Sequence, residues 1–165
     1  MAHHNLEFIS VKCGVITISD TRTKENDRSG MFIKNVLKNK GHEVIDYILI
    51  KDEPEDIQQQ IMKLTSDEKV QVIITNGGTG IAPRDTTYKA LTQILETTLP
   101  GFGEIFRYLS YKEIGSRAIA SRAIAGIYQE KLIFSVPGST NGVKLAMEKL
   151  ILPELIHLVR QITNT

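Results

Sequence analysis

Residues 70–87 read VQVIITNGGTGIAPRDTT. The first six are apolar and β-branched apart from Gln71 and Thr75, the pattern of a strand buried on both faces of a parallel sheet. Three glycines follow at positions 77, 78 and 80, then Pro83, the pair Arg84 and Asp85, and two threonines. A helix is expected over residues 87–95. Strand, glycine-rich loop and helix in direct succession make half of a right-handed βαβ unit.

Other segments repeat this alternation. Residues 12–19, KCGVITIS, read as a second buried strand, closed by Asp20. A polar run to Asp27 leads into a helix with Phe32, Ile33, Val36 and Leu37 on one face, and Gly41 marks its stop. Residues 44–50 form another strand. Pro54 suits the first turn of the next helix, which Ile57, Ile61 and Leu64 continue at helical spacing. Pro100 and Gly101 restart the chain into a helix with Phe102, Ile105, Phe106 and Leu109 on one face. Residues 116–126, SRAIASRAIAG, are Ala-rich and read as helix ending at Gly126; their five-residue echo is too short for a structural repeat. KLIFSV at 131–136 is a further strand, closed by Pro137, Gly138 and Ser139. Residues 141–162 read as helix, with Pro153 opening the second half. The expectation is an α/β fold in three layers, a mostly parallel sheet with helices on both faces. One domain spans 1–165, with residues 1–10 as a mobile tail. Strand order is not legible in this pattern.

The chain has 165 residues, 41% of them hydrophobic, and a formal net charge of +1. That balance argues against a nucleic-acid partner or a membrane surface, which favour a basic excess. Cys13 is the only cysteine, so an internal disulfide and a cysteine metal cluster are both excluded. It reads as a buried small apolar residue. His3 and His4 receive no role. With no leader pattern and no span-length apolar run, a cytoplasmic protein is expected.

The glycine loop fails two phosphate-loop tests. Ile81 stands where a Walker A loop needs Lys, and Pro83 stands where a dinucleotide fingerprint needs its third glycine. Its place still matters, because open α/β sheets bind ligands beyond the carboxyl ends of their strands. Glycines admit close approach of backbone N–H groups, and Thr79, Thr86 and Thr87 add hydroxyls. A plain strand-to-helix turn capped by Asp85 or Thr86 fits the same residues. A carboxylate beside an anion loop points instead to a cation shared with substrate phosphates, the habit of Mg²⁺. Asp20, Thr21 and Arg22 end one strand, Lys51, Asp52 and Glu53 another, and Pro137, Gly138 and Ser139 a third. These strand ends place carboxylates, hydroxyls and glycines along one sheet edge. Arg117 and Arg122 read either as helix-surface charges or as anion ligands.

TNGGTGIAPRDTT, PGFGEIFRYLSYKEIGSRAIASRAIAG and IFSVPGSTNGVKLAMEKLILPEL, with ISDTR at 18–22 and DRSG at 27–30, resemble the MoaB/MogA family of molybdenum cofactor biosynthesis proteins. The resemblance runs from about Val11 onward, and SYKEIG and PGST point to the MoaB branch. It implies a molybdopterin-binding fold, assembly as a homotrimer or a hexamer of two trimers, and contacts with other molybdenum cofactor enzymes. The implied activity is transfer of AMP from Mg-ATP to molybdopterin, releasing pyrophosphate. On this resemblance Asp52 and Asp85 are catalytic and hold Mg²⁺. Gly77, Gly78, Thr79 and Gly80 form the ligand loop. Asp20, Ser29, Ser121, Arg122, Pro137, Gly138 and Ser139 contact pterin or phosphate. A non-catalytic molybdopterin carrier on the same fold, or a nucleotide-binding regulator using the glycine loop, would share many of these features.

Overall fold

The structure, a computed structural model, describes residues 7–164. The outer part of the expected N-terminal tail, 1–6, and both histidines there lie outside the described residues. Residues 7–10 rest on the body. Ser10 Oγ donates to the Gly41 carbonyl at 2.8 Å, the Phe8 ring tilts over His42 at 5.7 Å, and Arg160 donates to the Glu7 carbonyl.

Six strands form one sheet: β1 (Lys12–Ile18), β2 (Glu43–Ile50), β3 (Val72–Asn76), β4 (Thr97–Thr98), β5 (Ile124–Tyr128) and β6 (Lys131–Val136), in the order β2-β1-β3-β6-β5-β4. The four strands β2, β1, β3 and β6 run parallel, and β5 and β4 close one edge antiparallel. Helices α1 (Arg28–Asn39), α2 (Pro54–Thr65), α3 (Thr87–Thr92), α4 (Pro100–Ile114), α5 (Thr140–Ala146) and α6 (Leu152–Thr163) cover it. A 3₁₀ segment (Gly115–Ala120) continues α4, and a π-helical turn (Met147–Ile151) joins α5 to α6.

Alternate side chains of the buried strands divide between two cores, as a period of two requires. Val15, Ile74, Phe134 and Val136 face Ile33, Phe106, Val143 and Leu155 of α1, α4, α5 and α6. Ile16, Ile73 and Ile133 face Ile57 and Ile61 of α2 and Leu91 of α3. Three layers and a mostly parallel sheet are therefore present as expected.

The Ala-rich stretch departs from the helical expectation. Helix ends at Ala120, and Ile124 begins strand β5. It pairs with β6 through a tight hairpin whose two central residues, Gln129 and Glu130, both have positive φ (52° and 62°), the twist such hairpins favour. Tertiary pairing here overrides alanine's helix preference. Gly126 accordingly stops no helix. It lets β4 approach, since a Cβ there would lie 2.4 Å from the Thr97 carbonyl oxygen. α3 also ends sooner than expected, at Thr92. Ile105, expected on the buried face of α4, is exposed, while Phe106 is buried.

Candidate functional site

The carboxyl ends of β1, β2, β3 and β6 open on one edge, where a cavity of about 710 Å³ lies between the strand-end loops and α4. Its floor is the loop after β3. Gly77 and Gly78 have φ of +105° and +70°, the left-handed region that favours glycine. A Cβ on Gly77 would fall 2.0 Å from the Ile18 carbonyl oxygen, and one on Gly78 would fall 2.1 Å from Thr87 Oγ1. The loop thus threads between β1 and α3. Thr87 ties it down, donating from Oγ1 to Gly77 O (3.0 Å) and from N–H to Gly78 O (3.2 Å).

Two carboxylates flank this loop. The Asp52 carboxylate is buried. Its Oδ1 accepts from Thr86 N–H at 3.0 Å and Thr86 Oγ1 at 2.6 Å. Its Oδ2 accepts no hydrogen bond from the described residues and lies 2.7 Å from where a Gly78 Cβ would stand. Asp85 Oδ2 accepts from Ala82 N–H at 2.9 Å and lies 2.7 Å from the corresponding point on Gly80. Asp85 does not cap α3. Thr86 holds the N-cap position and makes no side-chain cap bond.

Arg84 reaches across to the ends of β1 and β2. It donates to both oxygens of Asp20 at 3.1 Å and pairs with Glu53 at 2.9 Å. That guanidinium, and after it the Asp52 backbone N–H, hold the Asp20 carboxyl below its ordinary value. From β6, Pro137, Gly138 and Ser139 form the facing rim, and Ser139 caps α5 by accepting from Gly142 N–H at 3.1 Å. Ser121 also lines the cavity, and its buried Oγ has no hydrogen-bond partner among the described residues.

Eleven residues expected at the site, Asp20, Asp52, Gly77, Gly78, Thr79, Gly80, Asp85, Ser121, Pro137, Gly138 and Ser139, line this one cavity. Two others stand behind it. Ser29 is buried and donates to Gly138 O at 2.7 Å. Arg122 clamps the glycine loop from the rear, donating to Gly80 O (2.9 and 2.6 Å) and Asp85 O (3.1 Å), with its guanidinium over the Tyr88 ring. Sequence reasoning missed the α4 wall, namely Phe106, Ser110, Glu113 and Ile114. Arg22, Arg84 and Arg117 complete the basic lining, opposed by Asp20, Asp52, Asp85 and Glu113. With four carboxylates to three guanidiniums, a polyphosphate needs a companion cation here. Among the described residues, no three His, Cys, Asp or Glu side chains gather as a metal cage. The donor set therefore suits a cation that one or two carboxylates share with substrate phosphates, as Mg²⁺ does.

The family pattern described as a probable molybdopterin binding domain matches residues 14–157. Molybdenum cofactor biosynthesis protein B of Bacillus subtilis (strain 168) is 52% identical over 153 residues, covering 92% of this chain and 90% of that protein. The chain belongs to the MoaB/MogA family of molybdenum cofactor biosynthesis proteins. A solved structure of a molybdenum cofactor biosynthesis protein B superposes with a TM-score of 0.92 at 48% identity, covering 95% of this chain and 98% of that one. The tungsten cofactor synthesizing protein MoaB from Pyrococcus furiosus superposes at 0.84 with 35% identity, covering 93% and 97%. No helix among the described residues is long and apolar enough to cross a membrane.

Proposed function

We propose that this MoaB/MogA-family protein binds molybdopterin in the sheet-edge cavity and transfers AMP to it from ATP. The observation that carries the reading is the pair of carboxylates, Asp52 and Asp85, set against Gly78 and Gly80 of one glycine loop. In the transfer, an oxygen of the molybdopterin phosphate bonds to the α-phosphorus of ATP. The bond from that phosphorus to the bridging oxygen breaks, and pyrophosphate leaves with the electron pair. Mg²⁺, when bound, offsets the charge that the phosphates and carboxylates bring together. Asp52 Oδ2 and Asp85 would hold that cation beside the loop. Thr86 keeps Asp52 in place through its two bonds to Oδ1. Arg84, Arg22 and Arg117 oppose the phosphate charge. The buried hydroxyl of Ser121 and the rim of Pro137, Gly138 and Ser139 meet the pterin and its phosphate. No covalent nucleophile is needed, because in-line transfer between phosphates rests on positioning and charge stabilisation.

A second reading, a molybdopterin carrier without transfer, draws on the engagement of Asp52 Oδ1 by Thr86, which leaves one free oxygen for a cation. Incubating the protein with molybdopterin and Mg-ATP separates the two. Adenylylated pterin and pyrophosphate in equal amounts support transfer. Tight pterin binding with neither product supports the carrier, and no pterin binding overturns both.

A further inference from the structure

Tyr47 lies on the edge strand β2 and does not line the cavity. Its hydroxyl nevertheless starts a polar chain that ends there. It donates to Asp27 Oδ2, and Asp27 is wholly buried. Asp27 Oδ1 caps α1 by accepting from Gly30 N–H at 3.0 Å and faces the Arg22 guanidinium at 3.6 Å. Arg22 in turn donates to Gly138 O at 2.5 Å and to Asn76 Oδ1 at 3.4 Å. It thereby spans the two strand-end loops of the site. Ser29 Oγ donates to the same Gly138 oxygen at 2.7 Å.

Both lone pairs of the Gly138 carbonyl are thus taken. Every peptide among the described residues is trans, so the C=O of one residue and the N–H of the next point in opposite directions. Holding the Gly138 oxygen toward Arg22 and Ser29 turns the Ser139 N–H the other way. Among the described residues that amide has no hydrogen-bond partner, and Ser139 lines the cavity. A buried carboxylate is costly unless paired. Here the pairing runs through an arginine onto a peptide of the site rather than closing within the core.

We propose that Tyr47, Asp27 and Arg22 form a positioning relay that fixes the Gly138 peptide so that the Ser139 amide meets the phosphate of bound pterin. The proposal rests on the reading of the cavity as a molybdopterin site. Burial, and then the bond to Asp27, push the Tyr47 phenol well above its ordinary value, so it stays a donor at neutral pH. Lys24 and Lys34 sit over the ring face at 5.6 and 4.5 Å, contacts that a phenylalanine preserves.

The test is a double-mutant cycle with Tyr47→Phe and Arg22→Gln, read as molybdopterin Kd. A hydrogen bond to a charged group predicts about tenfold weaker binding in Tyr47→Phe. In the Arg22→Gln background the same change shifts Kd less than about twofold, because the relay is already cut. Amide exchange in the ligand-free protein gives a second reading. Gly142 and Val143, whose N–H groups bond to Ser139, exchange faster in Tyr47→Phe. Unchanged affinity, or an equal loss in both backgrounds, overturns the relay. So does lowered stability with binding intact. If the wild type binds no molybdopterin, the parent reading fails. Exchange at Gly142 and Val143 then decides the relay alone, and unchanged rates overturn it.

Discussion

The Asp85 carboxylate turns back on its own loop, accepting from Ala82 N–H at 2.9 Å. An asparagine can keep that bond through its amide oxygen while losing the charge. Asp85→Asn is therefore expected to fold normally, bind pterin nearly as well, and lose about 100- to 1,000-fold in adenylyl transfer. The measurement is product formation at saturating Mg-ATP with pterin binding in parallel. Turnover near wild type would remove the proposed role. Gly78 shows what the sequence conceals at this scale. Its glycine pattern reads as room for a ligand, yet the space beside it is filled by Thr87 Oγ1 and Asp52 Oδ2. The residue is needed for packing of the loop, where Thr87 and Asp52, distant in sequence or across the loop, close on it. Ser29 and Arg122 carry the same lesson. Their motifs mark the site region, while their side chains hold its loops from behind.

The turn from α1 into β2 is anchored by His42, which is buried and accepts the Val11 N–H on Nδ1 at 3.1 Å. That bond requires a neutral ring, and burial pushes the His42 pKa below its ordinary value. A folded pKa lower than the unfolded one means that the protonated ring is penalised in the folded state. The stability it lends is present above about pH 6.5 and is lost as pH falls below that. Unfolding in denaturant at pH 7.5 and 5 tests this. The loss on acidification is expected to be smaller in His42→Gln than in the wild type, and an equal loss excludes His42 as a source. Among elements, β1, α1, β2, α2, β3 and β6 were legible within a residue or two, because their periodicity is strong and their ends carry Asp, Pro or Gly signals. β5 was not. An Ala-rich run has no strand signature, and the β5–β6 turn uses Gln129 and Glu130 in place of the asparagine or glycine that announces such hairpins.

At the scale of the molecule, α4 and the 3₁₀ segment after it carry more apolar surface than one core-facing stripe uses. Tyr108, Tyr111 and Ile114 are exposed, and Ile119 is 85% exposed. Exposed apolar side chains gathered in this number on one segment favour association with a partner surface. Ala118, Ala120 and Ser121, on either side of Ile119, line the cavity, so an associating copy would sit at the mouth of the site. Self-association as a trimer or hexamer is the expected outcome. Light scattering at micromolar concentration checks it, with Ile119→Glu reducing the mass, and a monomeric wild type would overturn it. The α/β class followed from alternating strands and helices. The strand order depends on crossovers between distant elements, which local pattern does not encode.

The π-helical turn at 147–151 acts as a phase adjuster between two helices with different duties. Successive residues of an α-helix are about 100° apart around the axis. A wider turn that absorbs one extra residue therefore spares everything after it a shift of about that angle. Upstream, α5 begins at the cap set by Ser139 on the cavity rim; downstream, α6 must aim Leu155 and Val159 at the sheet. Closing that turn to α geometry with every residue kept would rotate the C-terminal helix by about 100°. Chain length across this joint is consequently held by rotation: the rim of the site and the seating of the last helix share one count.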